Sequence, residues 1–289
     1  MKKHEKHEEL DMSTPVKRRN KEPEELARLC DRLNIVDLFV SLQGEGKYVG
    51  MPSLFVRISG CNLRCCFKNT VCDTAYSSFS PEKGKYSKDD VVTMLQKNPN
   101  IIDIVFTGGE PLMFGEELDD LIEYIGCIND MDYRITIETN GTFGPIKQVV
   151  DLYSISPKLS TSMPVPDKPY YYTHDGKVVS KTFTKAEVEK LNKTRYNPDA
   201  IAAMMDMQDF QLKFVYSGPE SVKDIDELVD TLRKMGKTIY PEDIMLMPEG
   251  VTADQINKNG LEAAKVCIER GWRFADRLHI RLWGDKRGV

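Results

Sequence analysis

From Ile35 onward the chain alternates short apolar runs with longer amphipathic ones. The short runs lie at 35–40, 53–58, 103–107, 134–138, 152–156, 211–216, 243–247 and 278–282, and they are rich in Ile, Val and Phe, which predicts strands. Between them the apolar period lengthens. Leu118, Leu121, Ile122 and Ile125 recur at helical spacing within 116–128. Ser87 with Asp90 predicts the start of a helix running through Gln96. Thr184 with Glu187, and Thr252 with Gln255, fit the capping box, and Ser221 with Asp224 is its weaker aspartate version.

Strand–helix alternation of this kind predicts an α/β fold with a parallel sheet. The units from Ser53 onward number six or so, too few to close an eight-fold barrel, so the expected architecture is a partial, open (β/α)6-type barrel. Residues 163–208 break the rhythm with a polar stretch around Tyr170, Tyr171, Tyr172 and His174-Asp175-Gly176. This segment reads as an insertion with its own helices, a flap over one end of the barrel. Residues 1–30 mix both charges with little apolar periodicity, which predicts a flexible N-terminal extension ending in a short helix around 24–33. Residues 31–289 then form one domain.

Composition narrows the class without naming it. At 289 residues, 40% hydrophobic and 29% charged, the chain has ample material for a core. A net charge of -5 gives no electrostatic reason to expect a nucleic-acid partner, though a few local Arg and Lys can still hold a small anion. No apolar run approaches the ~20 residues of a membrane helix. The N-terminal stretch lacks the apolar core of a secretory signal and is too acidic for a mitochondrial one. The expected location is a reducing cytoplasm, where clustered cysteines serve metals or catalysis rather than disulfides.

The stretch 60–76, GCNLRCCFKNTVCDTAY, holds four of the seven cysteines. It follows directly on the strand candidate at 53–58 and so sits at a strand's C-terminal end, where α/β barrels keep their active sites. Zinc commonly takes four ligands as two C-x2-C pairs; none occurs here, and the adjacent Cys65 and Cys66 cannot easily share one tetrahedral ion. An iron–sulfur cubane normally takes four thiolates, and one held by three leaves an iron open to a small ligand.

Other polar motifs end neighbouring strands. SLQGEG at 41–46 offers Gln43 and Glu45 as hydrogen-bonding groups beside glycines that allow close backbone approach. FTGGEP at 106–111 pairs Gly108 and Gly109 with the carboxylate of Glu110. IETNGT at 137–142 carries Glu138, and SISPKLSTS at 154–162 carries Ser156 and Lys158. Taken singly, these fit ordinary strand-end turns. Arg57 alone reads as a surface ion pair, and His279 alone as a satisfied core histidine. Three successive strands with polar residues at the same end are not what chance loops arrange.

Together the motifs carry a resemblance. GCNLRC resembles the opening of the C-x3-C-x2-C motif of radical S-adenosylmethionine (SAM) enzymes, with Cys61 and Cys65 as its first two cysteines. The third would fall at Lys68; the next cysteine is Cys72, followed by Asp73-Thr74. The Cys-Asp-Thr ending, SLQGEG and the tail RLHIRLWGDKRGV are similar to those of the 7-carboxy-7-deazaguanine synthase family, so the motif becomes C-x3-C-x6-C. Cys65 and Cys66 both stand as candidates for the second ligand, with Cys65 favoured. The resemblance spans about 35–162 and 209–289 and leaves 1–30 and most of 163–208 without a counterpart.

What the resemblance implies is specific. Cys61, Cys65 and Cys72 would hold a [4Fe-4S] cluster whose open iron chelates SAM. Gly108, Gly109, Glu110, Glu138, Ser156 and Lys158 would contact SAM. Gln43, Glu45, Gly46, Arg57, Thr107, His279 and the terminal carboxylate of Val289 would contact a pterin substrate. Thr74 would contribute to a Mg2+ site. The implied reaction turns 6-carboxy-5,6,7,8-tetrahydropterin into 7-carboxy-7-deazaguanine by ring contraction with loss of ammonia, on the way to queuosine or another deazapurine. Its implied partners are an external one-electron donor of flavodoxin or ferredoxin type and a second copy of the chain in a homodimer. Two other readings compete: a different radical-SAM enzyme, such as a glycyl-radical activase, and a zinc-stabilised binding protein.

Overall fold

The computed structural model describes residues 33–289 apart from 69 and 130. The expected extension at 1–30 and the short helix around 24–33 fall outside the described residues, Leu33 excepted.

One eight-stranded sheet organises the chain, in the order β1 (Ile35–Leu42), β2 (Pro52–Ile58), β3 (Asp103–Gly108), β4 (Arg134–Thr139), β5 (Leu152–Ile155), β8 (Phe210–Tyr216), β9 (Ile244–Pro248) and β10 (Arg273–Phe274). β1 runs antiparallel to β2, and every later pairing in this sheet is parallel. Among the described residues β1 and β10 are the two edges of this sheet and do not pair with each other, so it stays open as a partial barrel.

Side chains alternate along these strands, and that alternation builds the site. Leu54, Val56 and Ile58 on β2, Ile104 and Phe106 on β3, Ile135 and Ile137 on β4, and Leu212 and Phe214 on β8 enter one apolar core. The intervening Phe55, Arg57, Thr107, Glu138, Ser154 and Lys213 face the opposite way and line a cavity. The register sets Asp37 beside Arg57 and Arg57 beside Thr107, and sets Glu138 beside Ser154.

Helices cover the apolar face. α1 (Ala75–Ser78) follows the cysteine loop. α2 (Lys88–Lys97) starts at Ser87 with a complete capping box to Asp90. α3 (Gly115–Asn129) buries Leu118, Leu121, Ile122 and Ile125. α6 (Pro219–Lys234) and α7 (Ala253–Arg270) close the far side. Thr252 caps α7 through the Gln255 amide, while the Gln255 side chain accepts from Val251 N instead of completing a box. The start of α6 differs from expectation: Pro219 opens it, Ser221 Oγ accepts from Ser217 N, and Asp224 accepts from Ser160 N.

Residues 163–208 contain a hairpin that the polar pattern concealed. β6 (Pro169–His174) and β7 (Lys177–Thr182) pair antiparallel across Asp175-Gly176, both at positive φ, as a two-residue turn requires. The hairpin is followed by α4 (Lys185–Thr194), capped by Thr184 and Glu187, and α5 (Pro198–Met207). α5 buries Ile201, Ala202 and Met204 in the main core and so serves as the crossover between β5 and β8, whereas α4 buries nothing fully. Tyr170 and Phe183 pack with Cys66, which seats the hairpin on the cysteine loop.

The expected strand at 278–282 is a helix, α8 (Leu278–Trp283). A strand there would bury alternate residues, but only Ile280 is buried and Leu282 is 52% exposed. β10 already occupies the sheet edge beside β9, and Leu278 N donates to Gly44 O at 2.9 Å, turning the chain back over the β1–β2 loop.

Candidate active site

The C-terminal ends of the parallel strands open into a cavity of about 700 Å³. The cysteine loop, between β2 and α1, forms part of its wall. Cys61, Cys65 and Cys72 line it, whereas Cys66 is 2% exposed, turned into the apolar cluster under the hairpin. Leu63 N donates to Cys61 Sγ at 3.4 Å, and Cys72 N to Cys65 O at 2.9 Å. Burial pushes the Cys61 thiol up to about 12 and Cys65 well above its ordinary value, with Cys72 adding to both. Among the described residues no three such side chains close on a single ion. A cubane spreads its thiolates over several irons, so three cysteines around an open cavity suit it better than they suit zinc. Iron charge would also reverse the thiol preference, since a coordinating thiol is deprotonated.

The two glycines of FTGGEP let β3 reach this loop. Gly108 lies at φ +131 and a Cβ there would meet Ile58 O at 2.1 Å; one on Gly109 would meet Gly60 O at 2.0 Å. Gly109 N donates to Ile58 O and Glu110 N to Gly60 O, at 2.9 and 2.8 Å. The Glu110 carboxylate turns away from the cavity. It is fully buried and accepts from Leu112 N at 3.0 Å, Thr139 Oγ1 at 2.7 Å and Asn140 N at 2.6 Å. Its role in this structure is to pin the ends of β3 and β4 together, while the Gly108-Gly109 backbone lines the cavity.

Glu138 sits at the cavity wall, accepting from Thr107 Oγ1 at 2.8 Å and Gln43 Nε2 at 3.3 Å. Ser156 and Lys158 line the same wall and bond each other at 2.8 Å. Thr74 also lines it, with its hydroxyl 3.3 Å from Cys72 Sγ.

Gln43, Glu45, Arg57, Thr107, His279 and Val289 all reach the cavity. Gly46 does not: a Cβ there would meet Gln211 Nε2 at 2.3 Å, and its positive φ serves the turn. Gly44 is needed for His279, whose Nδ1 would lie 2.1 Å from a Cβ at that position. Arg57 lines the cavity, and its buried Nε faces Asp37 in an ion pair at 3.2 Å.

Sequence reasoning missed the charges beneath this wall. Lys213 Nζ lies 2.5 Å from Glu45 Oε2, and Arg277 reaches Glu45 Oε1 at 3.0 Å and Asp73 Oδ2 at 2.6 Å. These cations hold Glu45 and Asp73 below the usual carboxylate range against the opposing effect of burial. Burial pushes His279 down, so its imidazole is neutral at neutral pH. Arg287 binds Asp37 at 2.7 Å and Glu82 at 3.0 Å, which straps the tail across the cavity rim. A lysine inside the apolar run FQLKFVY was the one signal that could have exposed Lys213.

An open, largely parallel α/β sheet whose first parallel strand leads into a loop with three cavity-lining cysteines is the arrangement of a radical SAM protein, and the Radical SAM superfamily model matches residues 55–156. Proteins of this superfamily use a [4Fe-4S] cluster and SAM. Within it, the chain belongs to the 7-carboxy-7-deazaguanine synthase family. It is 37% identical over 257 residues to the 7-carboxy-7-deazaguanine synthase of Halobacterium salinarum, covering 88% of this chain and 91% of the relative. It is 33% identical over 262 residues to that of Rhodopirellula baltica, covering 89% of each. The crystal structure of QueE from Escherichia coli shares the fold at a TM-score of 0.59 and 21% identity, covering 90% of this chain and all of the other. Among the described residues no helix is long and apolar enough to cross a membrane.

Proposed function

We propose that the chain converts 6-carboxy-5,6,7,8-tetrahydropterin into 7-carboxy-7-deazaguanine, with ring contraction and loss of ammonia, in cytoplasmic queuosine or other deazapurine biosynthesis. The observation that carries this reading is one cavity lined jointly by Cys61, Cys65 and Cys72 and by Gln43, Glu45, Arg57, Thr107, His279 and Val289. When bound, the cluster and SAM supply the one-electron chemistry that removes a hydrogen atom from a substrate carbon.

The protein binds, orients and excludes water around that chemistry. The Gly108-Gly109 backbone, Ser156, Lys158 and Glu138 receive SAM; Glu110 acts behind them by fixing the loop. The Arg57 guanidinium and an N–H of His279, both on the cavity wall, suit an anionic group of the substrate. Glu45, Glu138 and Thr107 offer acceptors to its ring N–H groups. Thr74 lends a hydroxyl to Mg2+, a hard ion that takes oxygen, with substrate and water supplying the other ligands. The electron comes from a flavodoxin- or ferredoxin-type donor, and the working form is a homodimer.

One anaerobic assay tests this. The protein is reconstituted with iron and sulfide, given SAM, reductant, Mg2+ and the tetrahydropterin, and its products are read by mass spectrometry. The expected product is 7-carboxy-7-deazaguanine. Formation of 5′-deoxyadenosine without it would keep the radical chemistry and reject the substrate. Zinc in place of iron and sulfide would reject both.

A further inference from the structure

β8 carries a cation in the middle of a buried strand. Leu212 and Phe214 enter the core, while Lys213 faces the cavity and is only 4% exposed. A buried ammonium is strongly disfavoured unless it is paired. Lys213 is paired twice, with Glu45 on the β1–β2 loop at 2.5 Å and with Glu138 on β4 at 3.8 Å. Both carboxylates line the cavity. Each keeps other partners: Glu138 accepts from Thr107 and Gln43, and Glu45 accepts from Arg277.

The geometry implies more than charge balance. Without Lys213, Glu45 would keep Arg277, but Glu138 would lose this cation while sharing the wall with a second carboxylate, which favours its uptake of a proton. A protonated carboxyl gives up acceptor capacity and gains a donor. An aminopyrimidinone ring presents an amino group and an adjacent ring N–H along one edge, both donors. The Glu45 and Glu138 carboxylates, both paired with Lys213 on the cavity wall, offer acceptors to such an edge.

We propose that Lys213 is a positioning residue that holds the Glu45 and Glu138 carboxylates apart and aimed to accept the N–H donors of an aminopyrimidinone edge. Lys213 thereby decides that the cavity takes a ring bearing the exocyclic amino group. This inference rests on the pterin substrate proposed above and deepens it.

The test uses the reconstituted holoenzyme with SAM bound. Two fluorescent probes are titrated by quenching: 6-carboxypterin, and 6-carboxylumazine, in which an oxo group replaces the amino group. The wild type is expected to prefer the pterin. Lys213→Met is expected to raise the pterin Kd about tenfold or more and to erase that preference. In turnover, KM should rise by a similar factor while kcat falls much less. Lys213→Arg, which keeps the cation, is expected to restore the preference. If the methionine variant does not fold, Lys213→Gln, similar in length but uncharged, carries the same expectation. A variant lacking the cation that keeps the wild-type preference overturns the inference, as does an arginine variant that loses it. A loss of affinity equal for both probes assigns Lys213 a structural role only and also overturns it. If the wild type makes no 7-carboxy-7-deazaguanine, the substrate reading itself fails, a result distinct from all of these.

Discussion

Arg277 meets Asp73 at 2.6 Å, so the segment leading into the C-terminal helix is bonded to the residue that follows Cys72. The same guanidinium reaches Glu45 at 3.0 Å and Gly250 O at 2.5 Å. One side chain therefore joins the cysteine loop, the β1–β2 loop and the loop after β9. Replacing it with methionine takes the cation from Asp73 and leaves Glu45 with Lys213 alone. The expected loss is about 1–3 kcal/mol of stability, because Glu45 keeps one buried cation and Asp73 is partly exposed. Denaturant unfolding would measure it, with iron content after reconstitution as a second readout. Unchanged values for both would mean that Arg277 joins nothing of consequence.

The three cysteines on the cavity wall and the one beneath it should behave differently. Cys61→Ser, Cys65→Ser and Cys72→Ser are each expected to lose most of the iron and sulfide bound per chain. Cys66→Ala is expected to keep both, with a stability loss of about 1 kcal/mol for a small cavity under Tyr170 and Phe183. Metal analysis of the four proteins decides it, and an iron-free Cys66 variant beside an iron-loaded Cys65 variant would reverse the ligand assignment.

Gly109→Ala places a methyl group 2.0 Å from Gly60 O, a backbone atom that can move only if the cysteine loop moves. The expected outcome is a folded chain with weakened cluster retention and at least about tenfold lower activity. Circular dichroism with iron content tests it; full iron and full activity would show that the loop tolerates the shift.

Stability should fall on acidification in two stages. Burial lowers the His279 pKa from its ordinary 6.5, so the unfolded chain takes the proton more readily and this contribution is lost as pH falls below 6.5. Glu45 is lowered from 4.5, so its contribution is complete above that value and lost further into acid. Melting temperature against pH would follow both stages. His279→Gln should flatten the first stage alone; an unchanged profile in that variant would remove His279 as its source.

Much of this was legible in the chain itself. β2, β3 and β4 are short apolar runs ended by glycine or polar residues, and their local pattern has no competing period. Ser87-Asp90 and Thr184-Glu187 close capping boxes within four residues, so no tertiary contact is needed to read them. Asp175-Gly176 is equally local, a hairpin signal flanked by Tyr and Val, and it was obscured only by the polarity of the strands around it.

The sequence by itself determined the alternation of strands and helices, the crowding of cysteines after β2 and the placement of polar motifs at strand ends, because each depends on neighbours a few residues apart. Only the tertiary structure decided which cysteine leaves the cavity, since Cys65 and Cys66 are adjacent and the hairpin packs on one of them. It decided that Glu110 faces inward, because its three donors come from Leu112, Thr139 and Asn140. It turned 278–282 into a helix, because β10 fills the sheet edge where a further strand would pair. And it brought Lys213 and Arg277 to Glu45 across 168 and 232 residues, distances over which no local pattern carries information.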